Sequence, residues 1–370
     1  MMDKVFVISD LHLGGDNSAK NLIHLISFFQ DDDQFKNSKI VIAGDMLDSW
    51  SQTGEKQPPS YTDMTNTYSI VWRQIIRRAQ KTPTYFVNGN HDMDLKLIDI
   101  GVKDIIQIQP DTLCSNIFQN RLYIDHGNCV DLFNANPGST TDPICRYPLG
   151  YYKTRLNHTF EYKNEPIAVA PMQKDHVVNI AKFEAIQKIY SYKKEGKKIS
   201  DDLLAEISLN LIEGLKRDIK TRFNVNDINT VTCVMDNGDK FSYGEILNCF
   251  DLFVYKFYHN NFLPSLSEDQ RSDQYLYDNF ARSIDTVQTG GLFWYSKSIF
   301  DLYRADTIVF GHTHMNQLIP ANMKHQKDTP NFVYANSGCW CNNPMGPNVS
   351  SIEIELDDNT VISRNKVVEW

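Results

Sequence analysis

The sequence predicts an α/β protein whose core is interrupted by a mostly helical insertion, on three observations. Short apolar runs alternate with amphipathic ones up to about residue 130. Several of those apolar runs end at once in carboxylate, amide or imidazole side chains. After about residue 130 the texture becomes helical, and strand-like runs return only near Thr307.

Taken in order, an apolar strand is expected over 4–9, an amphipathic helix over 18–30, a strand over 39–43, a helix over 62–80 and a strand over 84–88. A short helix-like segment comes next at 94–99, and another strand runs from Leu122 to Ile124. A Pro/Gly/Asn-rich loop at 134–150 opens the insertion. Within it, Ile180, Phe183, Ile186 and Tyr190, and later Phe250, Phe253, Val254 and Phe257, recur at helical spacing. From Thr307 the chain returns to short β-like runs at 315–319, 331–335, 349–355 and 360–367.

With 370 residues and a 41% hydrophobic fraction, the chain can bury a core without disulfide or metal staples. No apolar stretch approaches the roughly 18–20 residues that a membrane span requires. The seven cysteines (Cys114, Cys129, Cys145, Cys233, Cys249, Cys339, Cys341) include no CxxC pair, so neither a zinc ribbon nor a disulfide framework is expected. The first strand begins without a basic, then apolar, leader pattern, and together with the scattered thiols this predicts a cytoplasmic protein. A net charge of -9 disfavours nucleic acid as partner, because that binding depends on neutralising many phosphates. Oligomeric state is not legible.

Five segments share one layout, an apolar strand running into ligand-type residues: "VISDLH", "VIAGDMLD", "FVNGNHD", "YIDHGN" and "IVFGHTH". Rigid strands fix the backbone, and the loops beyond them let side chains turn into a shared crevice. Each segment alone has a dull explanation as a cap, a turn or a loop. Together they supply Asp10, His12, Asp45, Asn90, His126, His312 and His314, all oxygen or nitrogen donors. Such a set suits manganese, iron or zinc better than copper(I) or an iron–sulfur cluster. Seven donors are too many for one ion, whereas two ions about 3.5–4 Å apart would use them and would clamp both oxygens of a phosphoryl displacement.

The series DxH, GDxxD, GNHD, HG and GHTH resembles the motif set of the calcineurin-like metallophosphoesterases, over roughly 1–130 and 305–370. The resemblance implies a two-sheet α-β-β-α sandwich and two divalent ions, manganese favoured, with iron or zinc as alternatives. It implies Asp10, His12 and His314 on one ion, Asn90, His126 and His312 on the other, and Asp45 between them. His91 would be the histidine beside the leaving group and Asp92 its orienting partner. A positioned imidazole of that kind typically contributes about 10²–10⁴-fold by protonating the leaving group. Asp48 carries two readings of equal weight, a loop hydrogen-bonding residue or a direct catalytic one.

The resemblance further implies attack of a metal-activated hydroxide on a phosphomonoester, phosphodiester or pyrophosphate. Ending the third motif in Asp92, and writing the second as "GDMLDSW", is more similar to the branch containing UDP-2,3-diacylglucosamine pyrophosphatases than to phosphoprotein phosphatases. Asn128 departs from that branch, where an aspartate commonly comes after the His-Gly pair. A phosphorylated small-molecule or lipid-linked substrate is therefore favoured. Phosphoprotein phosphatase and nuclease are the alternatives on the same site, and a protein-interaction scaffold is the alternative without catalysis.

The insertion, read as 131–304, leaves just after His126 and returns just before His312, which suits a lid or cap selecting the substrate. Arg146, Lys153 and Arg155 come after the His126 motif and are candidates for phosphate contact. The aromatic run "FDLFVYKFYHNNF" is read as internal packing in preference to an apolar groove.

Overall fold

The computed structural model describes residues 3–15, 17, 19–108, 116–119, 122–136, 142–164, 176–286, 291–319, 332–342, 349–356 and 361–367. Cys114 and residues 137–141 of the predicted loop lie outside them. The strands are β1 (Asp3–Ile8), β2 (Ser38–Ala43), β3 (Thr84–Val87), β4 (Ile106–Ile108), β5 (Asn116–Gln119), β6 (Leu122–Asp125), β7 (Thr232–Val234), β8 (Lys240–Ser242), β9 (Thr307–Phe310), β10 (Asn316–Ile319), β11 (Val333–Ser337), β12 (Ser350–Leu356) and β13 (Val361–Val367).

The chain divides into two compact units, one of Met1–Ser49, Pro59–Asn128 and Gly290–Trp370, the other of Trp50–Pro58 and Cys129–Thr289. The first unit contains two sheets, ordered β13-β12-β1-β2-β3-β4 and β10-β11-β9-β6-β5. Strands β1 to β4 run parallel, as do β6, β9 and β11, while β12, β13, β5 and β10 are antiparallel additions.

Period-two alternation explains the layering. Val5 and Val7 of β1, Val41 and Ala43 of β2 and Val87 of β3 join Leu122, Ile124, Val309 and Ala335 of the second sheet in one core. The intervening Phe6, Ile8, Ile40, Ile42 and Phe86 point the other way, onto Leu25, Phe28 and Phe29 of the helix Ala19–Gln30 and Ile75 of the helix Ser69–Ala79. Beyond the second sheet, the helix Phe293–Tyr303 sets Tyr295 on Phe310 and Phe293 on Tyr334, with ring centroids 5.6 Å apart in both pairs. The result is the helix, sheet, sheet, helix order that the motifs implied.

Three expectations change in detail. The helix expected over 62–80 is two, Tyr61–Thr67 behind a Ser60 capping box and Ser69–Ala79. The segment 94–99 is a string of turns, with Leu95 N–H donating to Asp92 O at 3.0 Å and Asp99 N–H to Lys96 O at 2.9 Å. Its buried Leu95 and Leu97 are two apart, a spacing that no helix face offers. The helix Phe293–Tyr303 belongs to the sheet unit and residues 50–58 to the other, so the division differs from 131–304 at both ends.

The second unit is mostly helical. The helices His176–Lys194 and Asp201–Phe223 pack together, and β7 and β8 form a small hairpin. The aromatic run folds inward: Phe262 and Tyr258 meet Phe280 at centroid distances of 5.3 and 4.9 Å. Among the described residues, no helix is long and apolar enough to cross a membrane.

Candidate metal centre

Because β1, β2 and β3 are parallel neighbours, their carboxyl ends fall along one edge and deliver Asp10 and His12, Asp45 and Asp48, and Asn90 and His91. In the second sheet, parallel β6 and β9 deliver His126, then His312 and His314. Five of these residues hold left-handed backbone: Asp10 (φ 54°), His12 (45°), Asp45 (52°), His312 (68°) and His314 (57°). Each such residue costs on the order of 1–3 kcal/mol, which the surrounding structure must offset. Two glycines make room for the side chains. A Cβ on Gly44, itself at φ 87°, would enter the His126 ring, and one on Gly89 would collide with Asp45.

Asp45 Oδ2 lies 3.2 Å from His126 Nε2, 3.7 Å from His12 Nε2 and 3.9 Å from His91 Nε2. Asp10 Oδ1 lies 3.1 Å from His314 Nε2 and 3.7 Å from His12 Nε2, yet it is buried and accepts no well-formed hydrogen bond. Asn90 Oδ1 is 3.1 Å from His126 Nε2. The His312 ring lies edge-on to His126 with centroids 5.2 Å apart, and its backbone N–H donates to Asp10 Oδ2 at 3.0 Å. All seven predicted donors thus belong to one neighbourhood in the first unit.

The far ring nitrogens are held by other groups. His126 Nδ1 donates to Ala43 O at 2.7 Å, which leaves Nε2 unprotonated for an ion in the neutral tautomer. Asp48 serves two rings: Oδ2 is 3.2 Å from His12 Nδ1, and Oδ1 is 2.7 Å from His91 Nδ1. The orienting partner of His91 is therefore Asp48, and the expectation for Asp92 is corrected. Asp92 instead accepts the backbone N–H groups of Gly89 (2.8 Å), Met46 (2.7 Å), Asp45 (3.2 Å) and Leu47 (3.3 Å). It ties the loop after β3 to the loop after β2.

Electrostatics match that division. Burial opposes ionisation of Asp10 and Asp45, but the surrounding imidazoles, His126 foremost, hold both carboxyls below the usual range. Burial works against a charged Asp48 as well, and His91 and His12 outweigh it and keep that carboxyl low. Asp92 goes the other way, up to about 7, through burial and then the charge of Asp45. Burial disfavours a charged His126, yet Asp45 and Asp10 push it up to about 10. A divalent ion would replace such a proton between the same groups. The orphaned oxygen of Asp10 and the anionic O/N donor set fit that replacement.

The three cationic candidates lie in the second unit. Arg146 pairs with Asp236 at 3.1 Å, and Lys153 lines a small apolar cavity with Phe133, Leu149 and Leu156. Arg155 is buried, and its terminal nitrogens donate to Tyr151 Oη (2.6 Å), Thr53 O (3.0 Å), Val234 O and Lys56 O. Those four acceptors make it an internal anchor, which corrects its reading as a phosphate contact.

A further polar segment, "YANSGCW" at the end of β11, is absent from the motifs read in the sequence. Asn336 Nδ2 donates to Gly311 O at 2.6 Å, Ser337 Oγ is 2.7 Å from Ser9 Oγ, and Cys341 Sγ is 3.8 Å from His314 Nδ1. The signal is there to be found, since this too is an apolar strand running into polar residues and a glycine.

The family model of the calcineurin-like phosphoesterases matches residues 3–210, more than half of the chain. The chain belongs to that family. This phosphoesterase is metal-dependent, and its family works with dinuclear divalent centres. It is also similar to the crystal structure of a dimetal phosphatase from Danio rerio, at 9% identity and a TM-score of 0.35, over 98% of this chain and 95% of that one. Comparison with curated proteins gives no match.

Proposed function

We propose that Asp10, His12 and His314 hold one divalent ion, Asn90, His126 and His312 the other, and that Asp45 bridges them. The position of Asp45 Oδ2, 3.7 Å from His12 Nε2 of one group and 3.2 Å from His126 Nε2 of the other, carries this reading. Two ions bound there, manganese favoured, would supply Lewis acidity and lower the pKa of a water for in-line attack on phosphorus. His91 stands at the edge of the cluster, with Asp48 on Nδ1, and delivers a proton from Nε2 to the departing oxygen. Asp48 keeps the ring aimed.

The substrate proposed is a phosphorylated small molecule or a lipid-linked diphosphate, supported by the similarity of "GDMLDSW" and "GNHD" to the UDP-2,3-diacylglucosamine pyrophosphatase branch. Selection among such substrates is proposed for the helical unit, whose long segment begins at Cys129, shortly after His126. A panel of aryl monoesters, diesters, phosphopeptides and nucleoside-diphosphate lipids, assayed after manganese loading, tests this. A nucleotide lipid should show the highest kcat/KM. Preference for phosphopeptides would overturn the substrate, and no turnover of any ester with two ions bound would overturn the assignment of the centre.

A further inference from the structure

A second set of metal-ligating side chains lies wholly inside the helical unit. The 3-10 turn Ile144–Arg146 brings Asp142 and Cys145 together, with Cys145 N–H donating to Asp142 O at 3.1 Å and Ile144 N–H to Asp142 Oδ1 at 2.9 Å. Cys249 comes from a position 107 residues beyond Asp142, at the junction between the helices Tyr243–Asn248 and Phe250–Lys256. One ligand atom from each of the three lies within 4.8 Å of the others.

We propose that Asp142, Cys145 and Cys249 bind one thiophilic divalent ion of the zinc class, separate from the phosphoesterase centre. Cys249 Sγ donates to Asp142 Oδ2 across a separation of 3.7 Å, within the reach of a sulfur donor. It is the separation that a shared tetrahedral ion requires, since bonds of about 2.3 Å to sulfur and 2.0–2.2 Å to oxygen put two ligands ~3.5–3.8 Å apart. Both cysteines are free thiols, so no disulfide already occupies them. Cys145 is buried, whereas Asp142 and Cys249 are half-buried, which leaves water access to a fourth position.

Two sulfurs and one carboxylate select a softer ion than the oxygen and nitrogen donors of the first unit do. Binding releases the thiol protons and joins the turn at 142–146 to a helix junction remote in sequence. That closes a long loop, so the ion stabilises the helical unit without taking part in phosphoester chemistry.

The test uses the full chain, saturated with zinc, freed of unbound ion and analysed for metal content. The Cys145→Ser/Cys249→Ser double variant should carry about one zinc ion fewer per chain. With cobalt in place of zinc, the sulfur-to-metal charge-transfer absorption should weaken in the same variant. Unchanged zinc content and absorption would overturn the proposal. If that variant does not fold, alkylation of the unaltered chain decides: zinc should protect Cys145 and Cys249, and a chelator should expose them. Equal modification with and without zinc, or a disulfide joining the two, would overturn it.

Discussion

The two units bury charge for different ends. In the sheet unit, Asp10, Asp45, Asp48, His12 and His126 are buried within reach of one another, several of them on strained backbone, and Asp10 Oδ1 lacks a hydrogen bond. In the helical unit, Arg155 is buried among four acceptors, and Asp218 is paired with Arg222 at 2.9 Å one helical turn away. Among the described non-glycine residues of that unit, only Asn224 has a left-handed backbone, and it caps a helix, an ordinary place for it. Buried charge alone is therefore a poor guide to chemistry. Buried charge that is crowded and held on strained backbone is a better one.

The strongest way to break this contrast is Asp45→Asn. Loss of the proposed bridging charge should lower kcat by about 10³-fold or more, with the content of loaded manganese falling at both positions. Metal analysis beside steady-state rates checks it, and unchanged metal would remove the bridge. His91→Ala should cost about 10²–10⁴-fold on esters with alkoxide leaving groups and far less on activated aryl phosphates. Equal losses on both would make His91 a binding residue.

Asp48→Asn should come next with about a 10–100-fold loss in rate, the usual effect of removing a partner that orients an active-site group. Its loss should deepen as the leaving group worsens. Asp92→Asn sharpens the comparison, since it should lower thermal stability by about 1–3 kcal/mol without that leaving-group trend. The mildest effect on chemistry is expected from Arg155→Met. Calorimetry should show a destabilisation of about 3 kcal/mol from the stranded carbonyls, while manganese bound per folded chain stays the same.

Much of the candidate site is legible in sequence because each proposed donor sits just past an apolar run, and parallel pairing sets the ends of those runs side by side. Asp10, Asp45, Asn90, His126 and His314 could be named without knowing the order of the strands. The partner of His91 could not. The resemblance carried by "GNHD" implies Asp92, but its carboxylate turns back to four backbone N–H groups, and Asp48 arrives from the loop after the neighbouring strand. The end of β11 escaped for a related reason: Asn336, Ser337 and Gly338 have the composition of a turn, and only the pairing of β11 with β9 brings them beside Gly311. Arg155 shows the opposite failure, a cation near a motif in sequence whose partners lie elsewhere in the fold.

The position of β1 bears on the newly made chain. Its two neighbours are β2 and β12, so one edge is matched once Ala43 has been made and the other only by Ser350–Leu356. At roughly 5–20 residues per second, that second edge stays open for about 15–60 s on the ribosome. An apolar strand such as "DKVFVI" with a bare row of amides and carbonyls is a template for pairing with another nascent chain. Production of this protein should therefore be limited by whatever shields β1 until β12 emerges.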